Sequence, residues 1–525
     1  MRLAISALAL PALLACSGKS TIDCATNADC LQGGIGGTCL PSSSSDEHWC
    51  AFPDPGCDGS GQRWGVASGD GLAGACVEGS VPDGGLVVDS GEPDAAPPVD
   101  FGFRFGGVGS DGITKARPAS DGTLMVAGTF SGTLATGGVT LTSAGENDVF
   151  VARLRRDGTP VWLHQLGGTG DEHAVDLVVD GDDAVMILGT FSGETNLGGV
   201  TRTSQGVDFF LVKVASTGLP VWDKEHGGLG DDQPSGLALT ANGDPMVVGS
   251  FGDLIDLGDG TQHSAGGLDL FLARYAGLDG SVVWSQRVGG SGDEVAMGIS
   301  GLGPNVAVSG NLHGEIDLGG GTQTFADGAA FVASYSAANG SYSWSHAVAQ
   351  GGILAPIYFY GMTLLHDGSV AACARFSADA DFGNGTLAPA NGSFLGRYRV
   401  GGSLQWSRQL GPTGGSVRCE ALAADSNDQI FATGELGGTV DFGHDTLMSS
   451  QNNHADLFVA AYTADNTPVR AIAFHAAGDE HAGAIVAAPE VIVTGSFGGD
   501  LQLDDGTTLT SVGAADSFVV GRVFP

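Results

Sequence analysis

From residue 101 onward the chain repeats itself at intervals of about 60 residues, and this feature limits the possible folds more than any other. A period that long belongs to a propeller, a solenoid or an array of small units. One unit opens VWLHQLGGTGDEHAVDLVVDGDDAVMILGTF (Val161–Phe191), the next VWDKEHGGLGDDQPSGLALTANGDPMVVGSF (Val221–Phe251), a third VVWSQRVGGSGDEVAMGIS (Val282–Ser300). Later units drift but keep the frame. Each carries four short strand signals separated by glycine or aspartate turns. No helical periodicity competes with them. Four antiparallel strands per unit make a propeller blade.

One strand type can be counted along the chain: Val149–Leu154, Phe209–Val214, Leu270–Tyr275, Ala330–Tyr335, Ser393–Tyr398, Leu457–Tyr462 and Phe518–Val523. The last lacks a following tryptophan-type strand before Pro525. Phe101–Gly107, FGFRFGG, matches that strand and its Gly-Gly turn, and is expected to complete the last blade and remove the open sheet edge. The reading is an all-β, seven-bladed β-propeller over 101–525, preceded by a small disulfide-rich segment.

The Gly-Gly-x-Gly-Asp-Glu/Asp turn, the Gly-Thr/Ser-Phe strand end and the Asp-Leu-Gly-Gly-Gly excursion recur in fixed order. Together they resemble the bacterial SBBP-type β-propeller repeats, over about four-fifths of the chain. The resemblance implies a propeller on an exported protein and no single activity. The fifth and sixth units depart from it by losing Gly-Asp-Glu.

With the strands of a blade named a to d from the centre outward, the d–a and b–c connections share one face. The d–a turns bring Asp171, Glu172, Asp231, Asp232, Asp293, Glu294, Asp479 and Glu480 there, and the b–c excursions bring Asp256, Asp259, Asp317, Asp381, Asp441, Asp445, Asp504 and Asp505. Carboxylates and turn carbonyls are the hard oxygen ligands that calcium takes, so calcium is the candidate cofactor. The competing reading is that these acids cap their own turns. Where the acids are lost, Ile353, Leu354, Ile357, Tyr358, Phe359 and Tyr360 form an apolar and aromatic stretch, a candidate contact patch on an acidic rim. Trp162, Trp222, Trp284, Trp344 and Trp406 recur at one strand position and read as packing between blades. Cys373 and Cys419 lie on neighbouring blades and are candidates for a disulfide.

The N-terminus sets the expected compartment. Residues 1–15 read as a signal peptide, one arginine before an apolar run too short to span a bilayer. Leu13-Leu14-Ala15-Cys16 resembles a lipoprotein lipobox, which implies lipidation of Cys16 and, with Ser17 following, the outer membrane. Residues 16–76 also hold Cys24, Cys30, Cys39, Cys50, Cys57 and Cys76. Six cysteines in a short exported segment imply three disulfides of open connectivity. Residues 77–100 are a Pro/Gly-rich acidic linker.

Asp and Glu number 59 against 21 Lys and Arg, a formal charge of −38, which argues against a basic surface for nucleic acid. No Gly-x-Ser-x-Gly elbow, P-loop, His-Glu-x-x-His or dinucleotide fingerprint is present. The expectation is a monomeric, lipid-anchored, non-enzymatic module for a protein or glycan partner. The alternative is a polysaccharide hydrolase or lyase using rim carboxylates.

Overall fold

The computed structural model describes short backbone stretches between residues 31 and 64 and most of 101–525. Outside the described residues are 1–30, 65–100, 108, 198, 352–355, 390–391, 412–414, 451–454, 477, 479, 488–489, 504–506, 512–515 and 523–525, besides several between 33 and 61. The signal peptide, Cys16, Cys24, Cys30, Cys57, Cys76 and the linker therefore lie outside them. The chain divides into two compact units, Met1–Asp94 and Ala95–Pro525. In the first, Thr38–Pro41 pairs with His48–Pro53, which pairs with Gln62–Trp64; the register sets Cys39 opposite Cys50.

The second unit is a β-propeller. Its first sheet runs Asp111–Pro118, Leu124–Phe130, Asp148–Leu154 and Pro160–Leu166, every pair antiparallel. The same a-b-c-d order recurs along the chain. The a strands are Asp111–Pro118, Asp171–Val179, Asp232–Leu239, Glu294–Leu302, Ile357–Leu364, Gly415–Ala424 and Glu480–Ala487. Each packs against the next and the last against the first, so they form a closed ring around a central channel. The final sheet takes its outer strand from the start of the unit: Phe101–Phe105 pairs with Asp516–Arg522, Phe103 opposite Val519. The two ends of the repeat region are thus held in one sheet, which ties the ring shut.

The b and c strands read as nearly unbroken apolar runs because both of their faces are covered by neighbouring sheets. Leu124–Phe130 and Asp148–Leu154 each have one residue that is not buried. The Gly-Thr/Ser-Phe motif follows from this packing. Gly189 lies opposite Phe210 on the adjacent strand, and a Cβ there would sit 2.2 Å from the Phe210 ring and 2.7 Å from the His173 carbonyl. Glycine leaves room for the ring to cross the strand, and Gly249 does the same for Phe271.

Neighbouring sheets are pinned on the outside by a repeated pair of donors. Trp162 Nε1 and Arg153 Nη1 both donate to the Ser216 carbonyl of the next sheet, at 3.0 and 2.8 Å. Trp222 and Lys213 do so to Gly277, Trp284 and Arg274 to Ala337, Trp406 and Arg397 to Ala464. The tryptophan stripe therefore packs between blades. Two outer strands extend this joint through the backbone: Pro220–Gly228 pairs with Leu254–Asp256 and Pro468–Ala476 with Asp500–Gln502. Cys373 and Cys419 form a disulfide that joins the b strand of one sheet to the a strand of the next, both sulfurs in the core.

Candidate functional site: the central channel

The rim acids fall into two groups. The first acid of each turn ties down a neighbouring loop. Asp171 accepts from Asn147 Nδ2 at 2.7 Å, Asp231 from the Val207 amide at 3.1 Å, Asp293 from the Leu268 amide at 3.0 Å. Asp479 lies outside the described residues. The second acid, expected on the rim, turns inward instead: Glu172, Asp232, Glu294 and Glu480 are fully buried. Three of them meet a second buried acid at the start of the preceding sheet's c strand: Glu172 with Asp148, Asp232 with Asp208, Glu294 with Asp269. Asp111 meets Asp516 in the same way.

Two carboxyl groups buried together cannot both ionise cheaply, so burial side by side favours a proton on one of them. Burial first, and the partner acid after it, pushes Glu172 and Glu294 up to about 7 and Asp232 up to about 8. Burial raises Asp111 as well. The Gly-Gly half of the motif makes room for the pair. A Cβ at Gly167 would lie 1.8 Å from Asp148 Oδ1 and 2.6 Å from Glu172 Oε2. The fifth and sixth a strands place Ile357 and Val417 at this position, both buried, which is why Gly-Asp-Glu disappears there.

The excursion acids close their own turns. Asp256 accepts from the amides of Gly258 and Gly260, Asp317 from Gly319 and Gly321, Asp381 from Gly383 and Gly385, Asp441 from Gly443. Asp259 accepts from Ser285 and Asp445 from the Ala471 amide. Asp504 and Asp505 lie outside the described residues. Among the described residues no three His, Cys, Asp or Glu side chains converge as they would around a metal ion.

The expected contact patch is split by the strand's alternation. Ile357 and Phe359 point into the core, Phe359 against Phe382 and Phe394, so neither can meet a partner. Tyr358 and Tyr360 face the other way, their rings 5.7 Å apart. Ile353 and Leu354 lie outside the described residues.

The a strands share one register. The position after the buried acid is Gly112, His173, Gln233, Val295, Tyr358, Arg418 and His481 in turn. Two residues further on every a strand carries a bulge, at Thr114, Val175, Ser235, Met297, Tyr360, Glu420 and Gly483. A bulge turns an extra side chain off the regular alternation. The upper mouth, on the d–a side, is therefore uneven. Tyr358, Tyr360, Arg418, Glu420 and His481 crowd one arc, with Arg375 and Glu435 on the b strands behind.

Glu435 is the hub of that arc. Arg418 Nη1 donates to it at 3.0 Å, and His481 Nδ1 lies 2.5 Å from its other oxygen. Arg418 also reaches Glu420 at 3.5 Å. Burial, with Glu435 adding to it, pushes Glu420 up to about 7, against the pull of Arg418, His481 and Arg375. The arc thus holds a protonatable carboxyl beside a carboxylate fixed by two donors, with two phenols and an exposed guanidinium at its edge. Sequence reasoning placed Tyr358 and Tyr360 in a candidate contact patch but missed Arg375, Arg418, Glu420 and Glu435. The available signal was Glu420 itself, which stands where other units have Thr114, Ser235 and Gly483.

No family model matches the sequence. A regulatory protein, FlaEY, from Caulobacter vibrioides is 26% identical over 183 residues, 33% of this chain; the chain spans 19% of that protein's length. Among solved structures, the Pan2 WD40 domain of Neurospora crassa is similar with a TM-score of 0.43 at 9% identity, over 81% of this chain and 97% of that one. BamB from Moraxella catarrhalis is similar with a TM-score of 0.35 at 12% identity, over 78% and 96%.

Proposed function

We propose that this chain is a lipid-anchored cell-envelope protein whose seven-bladed, SBBP-type propeller is a non-enzymatic binding module for a protein or glycan at its upper mouth. The seven-blade count rests on the ring of a strands, each with its own b, c and d partners. The outer-membrane anchor rests on the lipobox resemblance at Cys16. The observation that carries the reading is the uneven mouth. A scaffold role needs no departure from the repeat, yet Tyr358, Tyr360, Arg375, Arg418 and His481 gather on one arc. Exposed aromatic and arginine side chains are the groups that anchor partners.

The test is binding of oligosaccharides and cell-envelope fractions to the full chain and to a Tyr358→Ala/Arg375→Ala variant. Loss of a wild-type ligand by about tenfold or more, at unchanged melting temperature, supports the reading. A ligand held equally by the variant places binding elsewhere and refutes it. A Cys16→Ala chain that stays with the membrane refutes the anchor.

A second reading is favoured by one observation, the raised Glu420 beside Glu435, which accepts from Arg418. That is the division of labour between acid and carboxylate used in glycoside cleavage. Turnover of a polysaccharide that Glu420→Gln abolishes without lowering stability would establish it. The paired acids of the d–a turns contribute nothing here, since their second members Glu172, Asp232, Glu294 and Glu480 are buried.

A further inference from the structure

From the bulges to the far ends of the a strands, residues of all seven a strands line a cavity of about 770 Å³. That volume is in the range of small-molecule sites. Its wall is mostly neutral. The position occupied by Arg117 on the first a strand is Val178, Ala238, Ser300, Thr363, Ala423 and Val486 on the others. Lys115, two residues before it, has Asp176 beside it and glycine or alanine at the matching place on the remaining strands. Both cations line the cavity.

Their partners do not balance. Asp176 is the buried carboxylate near them, and its oxygens are taken by Lys115 Nζ and by the amides of Leu177 at 2.6 Å and Leu237 at 2.9 Å. Lys115 thus has its counter-ion. Arg117 Nε is buried and makes no hydrogen bond to the described residues. The other carboxyl groups on this wall are committed elsewhere: Asp425 caps the Asn427 and Gln429 amides, and Glu420 sits with Arg418 and Glu435 at the upper end. Asp176 attracts the Arg117 guanidinium but is shared with Lys115, so two cations face one carboxylate, and a guanidinium is the side chain whose planar fork best fits an oxyanion. In a chain with 59 acids and 21 basic residues, this cation is out of keeping with its surroundings.

We infer that the lower channel is a binding site for a small oxyanion, a carboxylate or phosphate group, with Arg117 as the principal donor and Lys115 as the second. The bound group restores neutrality beside Asp176 and fills the Arg117 donor. The cavity leaves space for the rest of a ligand the size of a sugar acid or sugar phosphate. Tyr360 and Glu420 of the upper mouth line one end of the same cavity, but Tyr358 and Arg375 do not, so the two sites can be tested with different residues.

The test uses the full chain at constant ionic strength, titrated by calorimetry with inorganic phosphate and, in a second arm, with glucuronate. Saturable binding of either probe is expected, and the stronger arm tells phosphate from carboxylate. Arg117→Met should weaken binding by about tenfold or more, because it removes a charge-assisted donor. It should also raise the melting temperature of the free protein, since it removes a desolvated cation that shares Asp176 with Lys115. The Tyr358→Ala/Arg375→Ala variant should bind both probes as the wild type does. Two results overturn the inference: no saturable heat with either probe up to millimolar concentration, or an Arg117→Met chain that binds as well as wild type. A fall in melting temperature with Arg117→Met overturns the premise that the free protein carries one cation too many beside Asp176.

Discussion

The buried acid pairs give this propeller an unusual dependence on pH, and the Asp208–Asp232 pair is the place to measure it. Glu294's partner Asp269 has Arg287 at 2.5 Å, and Asp111's partner Asp516 has Arg104 at 2.9 Å. No cation lies beside Asp208 or Asp232 among the described ion pairs. Asp232 is fully buried and is pushed up to about 8 by burial and by Asp208, far above the ordinary aspartate range. A raised value in the folded state means that the native chain keeps a proton the unfolded chain has released. The favourable contribution is complete below the unfolded value and is lost as pH rises through about 8. At 1.36 kcal/mol per unit, the loss by pH 7 is at most about 4 kcal/mol.

Asp232→Asn keeps the shape and removes the charge facing Asp208 without having to take up a proton. It should match wild type near pH 5 and exceed it by about 1–3 kcal/mol at pH 7–8. Unfolding entropy of about 2.1 cal/mol/K per residue, over the roughly 425 residues from 101 onward, turns that into about 1–3 °C in melting temperature. The assay is thermal unfolding of both chains in steps from about pH 5 to about pH 9. A variant advantage that grows with pH supports the shared proton. A variant that is destabilised equally at every pH, or whose deficit widens as pH rises, would show that Asp232 is ionised in the folded state and refute the reasoning.

Four further outcomes are expected. Replacing Cys373 and Cys419 by alanine opens a loop of 46 residues and should lower stability by about 2–4 kcal/mol in a denaturant titration. Gly249→Ala should cost about 1–3 kcal/mol by overpacking, because the new methyl meets the Phe271 ring at 2.5 Å. Trp222→Phe removes the Nε1 donor to Gly277 and should cost about 1 kcal/mol or somewhat more, read by the same titration. Calcium should leave the melting temperature where EDTA leaves it, since the rim acids already serve turns or are buried; a saturable rise would reinstate a metal role.

The fold was legible because a propeller repeats its constraints. Every blade must bury both faces of its b and c strands, cross a ring over a glycine and restart at a Gly-Gly turn, so each demand is written several times. The tryptophan joint and the Cys373–Cys419 bridge followed from position alone. The acids were legible as a motif but misplaced, because a turn formula does not say which of two adjacent carboxyls faces in. Glu172 and Asp232 look like surface residues until their c-strand partners Asp148 and Asp208 are seen beside them. The aromatic stretch was misread for a related reason. Ile357 and Phe359 alternate with Tyr358 and Tyr360, and treating the run as one patch ignored the period of two.

What sequence could not supply is the channel. Its walls come from residues about 60 apart, one from each unit, and side chains there meet only when the ring closes. Lys115 and Asp176 are 61 residues apart and form an ion pair; His481 and Glu435 are 46 apart and touch. Neither relation leaves a trace in a window of contiguous residues. The repeat itself offers a way to look for such sites. Where every unit must satisfy the same packing, a residue that departs from its equivalents has been released from the scaffold's demands or set against them. Arg117 among valine, alanine, serine and threonine is such a departure, and so is Glu420 among Thr114, Ser235 and Gly483. Both lie on the inner face of an a strand, where a change costs the packing between blades least and meets the channel most directly. A comparison of equivalent positions across the units, restricted to a strands, would therefore have found both sites before the ring was built.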